Sequence, residues 1–564
     1  MPPHPDHSDA LQGQPTRREV LRRGVALSLS MTAARGLLAA GGAAVLTPTQ
    51  SSAAQVARPR SKATGKQAIL NFGAVQEPST LDPHLSTSVA DTMLKNIYEP
   101  LVDTDTDTGR VVPTLAVSWS VARDGLSVIF KLRGGVLFHD GTPFNANAAI
   151  VNFKRCIALK SYIPEAFDAI DSLEALDNLT LRVKLKRVIN PWVSMLSLNP
   201  KMISPTAIEK QTQGGDLAKT WLAQNTVGTG AYMHTRWDRG SNLVWEAFPK
   251  YWRGWEGRHV TTVNNRIVLE PGTQRLLLEA GDLDVEMNYT QDALPALRRN
   301  PNLNVVGVDL PNLLYIRLNN FTGPTADVRV RKAISYGFDY SAYTKLLGFD
   351  RPRADMPIPV QLFGPGYRAV KIPYLTYDPD MGRKLLKEAG HGNGFQMNLF
   401  HDPGVPQKAI LAEYFQSAMS RLGIKVKIVV EPFVNILARG ADQQSQKNWN
   451  TAVHTWILYT APLYPDASSF LLRMYTPYPA AVRNLLGYNS PQVARLTQEA
   501  VAQKDFAAAT KLYWQANLQI VQDCPDLMLD RSIQFTILRK WVKGHRPHAL
   551  EPWRWTYWDA WKEM

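Results

Sequence analysis

The segment LRGGVLFHDGTPFNANAAIVNFKR, from Leu132 to Arg155, sets His139 beside Asp140 among three glycines. An imidazole next to a carboxylate is the start of general acid–base machinery, which also needs a nucleophile or held water and a group that orients the ring. Neither is identifiable nearby. The two cysteines, Cys156 and Cys524, sit in apolar helix-like contexts that favour buried free thiols over a disulfide. The pair His545 and His548, in GHRPHA, occupies a proline-containing turn with no Cys or carboxylate at ligand spacing, so no metal site is expected. G-x-S-x-G, H-E-x-x-H, the phosphate loop G-x-x-x-x-G-K and C-x-x-C are all missing from the chain. These residues argue against an enzyme and against a cofactor. The alternative is an exported hydrolase or oxidoreductase whose catalytic residues are dispersed.

Local patterns give the His-Asp pair a structural role instead. Val128, Phe130 and Leu132 alternate as a strand, and Asp140-Gly141-Thr142-Pro143 has turn chemistry. Asn145 is placed to cap a helix with an apolar side of Ala146, Ala149, Ile150, Phe153 and Ile157. His139 is therefore expected in a turn.

A second unit runs from Tyr377 to Phe433. Asp378 can cap a helix that ends at Gly390, and a strand-like MNLF follows. Leu411, Phe415, Ala418 and Leu422 then recur at helical spacing up to Gly423, and Ile424, Val426, Ile428 and Val430 alternate as a strand. Helix between strands predicts a βαβ crossover and an α/β class.

The 564 residues, 45% apolar and 20% charged, are enough for several cores. Residues 1–54 read as a removable export signal, with TRREVLRR resembling the twin-arginine motif and Ser52 and Ala54 marking cleavage after Ala54. Arg35 divides its apolar run into pieces well short of the ~20 residues that a bilayer span needs. With no cysteine near the cleavage site, a lipid anchor is not expected. Residues 55–66 form a polar, basic lead-in. The net charge of +14 is dispersed, and its clusters lack the ordered basic-aromatic pattern of a nucleic-acid surface.

A series of motifs then appears in order: EPSTLDP, IYEPLV, PTLAVSW, LRGGVLFHDGTPFNA, VGTGAY, KYWRG, ADVRVRKAISYGFDY and YDPDMGRKLLKEAG. Together they resemble the extracellular solute-binding proteins of family 5, which serve ABC importers of peptides, nickel and opines. The resemblance implies a two-lobed periplasmic-binding-protein fold of the large type, with an extra subdomain in lobe I and a ligand cleft between the lobes. It implies lobe I at residues 67–309 with the subdomain near 101–188, lobe II at 310–525, and a return to lobe I at 526–564. It also implies a soluble periplasmic monomer that captures a peptide-like or related polar solute and delivers it to ABC transporter permease subunits with their ATPase.

The same resemblance nominates the cleft residues. From lobe I these are Asp91, Thr92, Met93, Tyr162 in the subdomain, and Asn288, whose amide both donates and accepts. From lobe II they are Phe433, Arg439 and, in NTAVHTWILYT, Trp456, Leu458 and Tyr459. Residue chemistry supplies a plainer role for several: a large aromatic on a strand packs well with no ligand, and an Asp can simply cap a helix. Three residues after the Trp, peptide binders of the family carry an Asp that meets the ligand's amino group. Here Tyr459 stands at that position, and Asp466 follows after a short insertion that bears Pro462 and Pro465. Ordinary zwitterionic peptides are thus disfavoured against modified peptides, opines or glycosides.

Overall fold

In the computed structural model the described residues are 68–563, apart from 75, 87–92, 162, 348–352, 355, 364–374, 404–405, 478–483 and 552–553. Ten strands form one sheet, in the order Lys425–Val430, Gln396–His401, Thr455–Thr460, Leu303–Leu318, Asp526–Arg539, Val285–Glu286, Ile69–Ala74, Thr262–Ile267, Asn242–Ala247 and Tyr232–Asp238. Two strands in the middle are unusually long, Leu303–Leu318 with 16 residues and Asp526–Arg539 with 14. They run antiparallel from Leu303 opposite Arg539 to Arg317 opposite Asp526, and the register breaks between Asp309 and Leu313.

That break separates two lobes with their own cores. On one side Leu314, Ile316, Phe415, Leu422 and Ile457 pack together on one face of the sheet, and Leu313, Trp456 and Leu458 pack on the other. On the far side of the break Leu70, Phe72, Val263 and Val285 form one core, while Leu278, Leu283 and Ile537 form the opposite one. Alternating side-chain direction along each strand is what loads both faces.

The expected crossover is present. Asp378 accepts the Met381 N–H at 2.9 Å to cap the helix Pro379–Glu388, and Gln396–His401 pairs in parallel with Lys425–Val430 across the helix Pro406–Ser420. Gly423 adopts φ +77°, the left-handed conformation that ends the helical segment without a Cβ clash.

A four-stranded antiparallel sheet lies apart, in the order Ala116–Val121, Ser127–Leu132, Thr180–Leu185, Ile170–Asp177. The helix Ala146–Ala158 packs on it, capped by Asn145, whose Oδ1 accepts the Ala148 N–H at 2.9 Å. Its buried face differs from the one expected at its end: Ile157 is 38% exposed, while Asn152 and Cys156 turn inward. Asn152 is drawn in because its amide donates to Ile203 O and accepts from Ile203 N–H, both at 2.9 Å, which satisfies a buried polar group.

His139 sits at the turn of this region and ties it to VGTGAY. Its backbone N–H donates to Gly228 O at 2.8 Å, Nε2–H donates to Gly230 O at 2.9 Å, and Nδ1 accepts the Gly228 N–H at 3.2 Å. The two glycines are required: a Cβ on Gly228 would lie 2.0 Å from Ile97 O, and one on Gly230 would lie 2.5 Å from Asn96 O. At the other end of the chain, Trp555, Tyr557 and Ala560 are buried against Leu70 and Phe72. No helix among the described residues is long and apolar enough to cross a membrane.

Candidate functional site

In open α/β sheets ligands bind beyond the carboxyl ends of the parallel strands. Here those ends are Ala74, Ile267 and Glu286 in one lobe, and His401, Val430 and Thr460 in the other. The segments that follow them are residues 268–271 and 287–290 on one side, and 402–403 and 431–433 on the other.

Of the residues nominated from sequence, Asp91, Thr92 and Tyr162 lie outside the described residues. Asn288 is half-buried at the end of Val285–Glu286, and its Nδ2 donates to Leu269 O at 2.9 Å, which ties together the two segments beyond the strand ends. Tyr459 is also half-buried and accepts a hydrogen bond at its hydroxyl from Asn312 Nδ2 at 3.2 Å, next to the register break of the long strands. Phe433 opens a short helix and tilts against Trp456 with ring centroids 5.6 Å apart.

Four others are engaged within the protein itself. Trp456 is 1% exposed and Leu458 is fully enclosed, both in the core that also holds Phe470 and Tyr513. Strand alternation is the reason: the positions that share a face with Trp456 point into packed side chains, and Tyr459 points to the opposite face. Met93 is buried beside Leu70, and its carbonyl accepts from the Asn96 N–H and Nδ2, both at 3.1 Å. Arg439 is exposed and forks onto Glu431 with two bonds of 2.8 Å, so its charge is met on the surface.

Asp466, the other acid that could meet an amine, is 3% exposed and turned inward. Its Oδ1 accepts the Ser468 N–H at 2.8 Å and the Ser468 hydroxyl at 2.5 Å. Burial pushes its carboxyl up to about 6, against the smaller opposing effect of the Ser468 hydroxyl.

Polar groups that sequence reading passed over stand at the end of Gln396–His401. His401, Asp402 and Lys408 are all buried, with the Lys408 ammonium on the Asp402 carboxylate and His401 Nδ1 at 3.1 Å from Asp402 O. The available signal was HDPG at the close of a strand, which turn chemistry alone explains away. A separate cavity lies in the same lobe, lined by Tyr340, Arg353, Cys524 and Asp526 among others. Both cysteines are free, buried thiols.

Among the described residues no three His, Cys, Asp or Glu side chains converge as metal ligands. His545 stacks on Trp555 at 3.7 Å, and His548 Nδ1 accepts the N–H groups of Leu550 and Glu551 at 3.2 and 3.1 Å.

Comparison with known proteins places this geometry. The model of the bacterial extracellular solute-binding proteins, family 5 Middle, matches residues 110–481. A glutathione-binding protein of Pectobacterium atrosepticum is 30% identical over 82% of this chain and 88% of its own length. A probable D,D-dipeptide-binding periplasmic protein of Escherichia coli K12 is 27% identical over 84% of this chain and 91% of its own. Among solved structures, NikA of Brucella suis, in complex with Fe(III)-EDTA, superposes with a TM-score of 0.76 at 23% identity and covers 88% of this chain and all of its own. The periplasmic binding protein DppA of Helicobacter pylori, in complex with the peptide STSA, gives 0.74 at 24% identity, over 88% of this chain and 98% of its own.

Proposed function

The chain belongs to the bacterial extracellular solute-binding proteins of family 5 and is a solute-binding receptor of an ABC importer, and from that premise we propose that its cargo is a peptide-like polar molecule without a free α-amine. Acylated or sugar-linked peptides, opines and glycosides fit this description. The relatives bind glutathione, dipeptides, peptides and metal complexes by name, so small polar solutes are the common theme.

The observation that carries the reading is the inward turn of Asp466; it joins the expectation, from the family resemblance, that Tyr459 stands where peptide binders carry the amine-binding acid. A buried ammonium without a carboxylate costs several kcal/mol. A phenol beside the Asn312 amide instead suits carbonyl, hydroxyl and flat groups. Asn288, Phe433 and Tyr459 are the described residues we assign to the cleft; the family resemblance also nominates Asp91, Thr92 and Tyr162, which lie outside the described residues.

In the same reading the protein is exported by the twin-arginine route, works in the periplasm as a soluble monomer without a lipid anchor, and hands its cargo to ABC permease subunits with their ATPase. From the sequence the lobes are expected to divide at Leu310 and again after Pro525. The register break between Asp309 and Leu313 supports the first boundary; on the late strand the same break falls between Arg531 and Ile533, and Leu527 and Leu529 pack with Leu314 and Ile316, so the second boundary is drawn there, a few residues later than the sequence suggests.

A thermal-shift and calorimetric screen tests the cargo. N-acylated peptides, opine-like compounds and glycosides should raise the melting temperature, and unmodified di- and tripeptides should not. Tight binding of a plain peptide refutes the reading.

A further inference from the structure

Two acids stand two residues apart at the centre of the sheet, and their surroundings are opposite. Asp284 is fully enclosed and well met: its carboxylate accepts the Asn71 N–H at 2.8 Å and the Trp541 Nε1–H at 2.7 Å, with the Lys562 ammonium at 2.7 Å. Glu286 is also fully enclosed, yet neither of its carboxyl oxygens has a hydrogen-bond partner.

Register identifies what Glu286 faces. Val285 is opposite Phe72 in the parallel ladder, so Glu286 and Gly73 share the other face, along with Ile537, which lies opposite Glu286 in the antiparallel ladder. Over Gly73 lies the side chain of Gln274, whose Oε1 would be 2.7 Å from a Cβ at that position. Gln274 is fully enclosed too. Its Nε2 donates to Val268 O at 2.5 Å, which fixes the amide's orientation, and its Oε1 has no donor. Three unpartnered acceptor oxygens therefore share one face of the sheet, on neighbouring positions.

The charged groups around them do not supply a donor. Arg275 and Glu279, on the covering helix Pro271–Ala280, pair with each other at 3.0 Å near the surface. Arg539, on the same face of the last long strand, gives its Nη1 to the Leu278 and Glu279 carbonyls and lies over the Trp541 ring; its Nε–H is unpartnered but makes no hydrogen bond to Glu286. Arg298, from the adjoining helix, lies over the Phe535 ring.

We propose that Glu286 is held as a neutral carboxylic acid that donates its proton to Gln274 Oε1, and that this buried proton latches the strand Val285–Glu286 and the Asn288 loop beneath the covering helix. The proton turns two orphaned acceptors into one hydrogen bond and removes a charge that nothing offsets. Burial pushes the carboxyl up to about 8, with Glu279 raising it slightly further and Arg275 opposing, which agrees with a proton retained at neutral pH.

The sign of the linkage follows. An acid raised in the folded state stabilises it most below its ordinary value of about 4.5, and the benefit drains away as pH climbs to about 8. If opening of the segment frees the carboxyl, the opening constant rises about tenfold per pH unit over that range and then levels off.

Hydrogen exchange of residues 284–290 between pH 5.5 and 9.5, corrected for intrinsic rates, reads this directly in the full protein. The wild type should show the rise and the plateau, and Glu286→Gln should show a flat profile with the fold retained. Infrared spectroscopy should find a protonated-carboxyl band at pH 6 that is lost in Glu286→Gln and shifted in Gln274→Met. If Glu286→Gln does not fold, the band and its shift in Gln274→Met decide alone. An unchanged exchange profile in a folded Glu286→Gln, or no band assignable to this pair, overturns the proposal.

Discussion

Replacing His139 by alanine should weaken the fold while leaving ligand capture almost untouched. The ring makes two hydrogen bonds to the backbone of Gly228 and Gly230 and meets Phe248 edge-on with centroids 5.0 Å apart. Two such bonds are worth about 1 kcal/mol each, and stranding the Gly228 N–H and Gly230 O adds to that, for a total of roughly 2–4 kcal/mol. A second route gives a similar size. Nδ1 accepts a hydrogen bond and so must stay unprotonated, and burial lowers the imidazole to about 4 from 6.5, with the Gly230 carbonyl and Asp140 opposing. That difference corresponds to at most about 3 kcal/mol. Because the value is depressed in the folded state, the contribution is full above about 6.5 and is lost as pH falls through about 4. Urea denaturation of wild type and His139→Ala should accordingly differ most at pH 7.5 and converge toward pH 4, while affinity for a cargo found in the screen stays within about threefold. A loss of affinity above tenfold in a folded variant would return His139 to the ligand site and refute the scaffold argument.

Other outcomes follow from the same structure. Changing Arg17 and Arg18 to Lys should leave uncleaved precursor in the cytoplasm, seen by fractionation; normal export would remove the twin-arginine assignment. Asp526→Asn should destabilise by about 3–5 kcal/mol, since it strands Arg317, which is held by two 2.8 Å bonds from that carboxylate; a loss below 1 kcal/mol in a denaturant titration would contradict this. Tyr459→Asp should raise affinity for plain dipeptides in calorimetry, and no gain would show that the acid at this position is not what the cleft lacks.

Elements with strong local signals were legible in the sequence. The caps at Asn145 and Asp378, the crossover and the stop at Gly423 are all written within a dozen residues. Site chemistry was harder, because exposure depends on partners far away in the chain. Trp456 carries the same residue type whether it faces a ligand or Phe470, and only the packed sheet decides. Glu286 looks like any acid after GDLDV until Gly73, remote in sequence, is brought to its face of the sheet with Gln274 lying over it. Ile157 fits a helical stripe, but the neighbouring surface ends before it, leaving it 38% exposed.

The long strand Asp526–Arg539 also bears on how the chain is made. It is inserted between Leu303–Leu318 and Val285–Glu286, so the sheet cannot be continuous until some 525 residues have been synthesised. At ribosomal speeds of roughly 5–20 residues per second, that is a wait of about half a minute to two minutes. From the synthesis of Leu318 until then, roughly 10–45 s at those speeds, the edge of Leu303–Leu318 that will receive the late strand is an open template for wrong pairing. Nascent chains should therefore depend on holding chaperones more than chains whose central strands emerge early, and a release delayed past that strand would favour compact chains over aggregate.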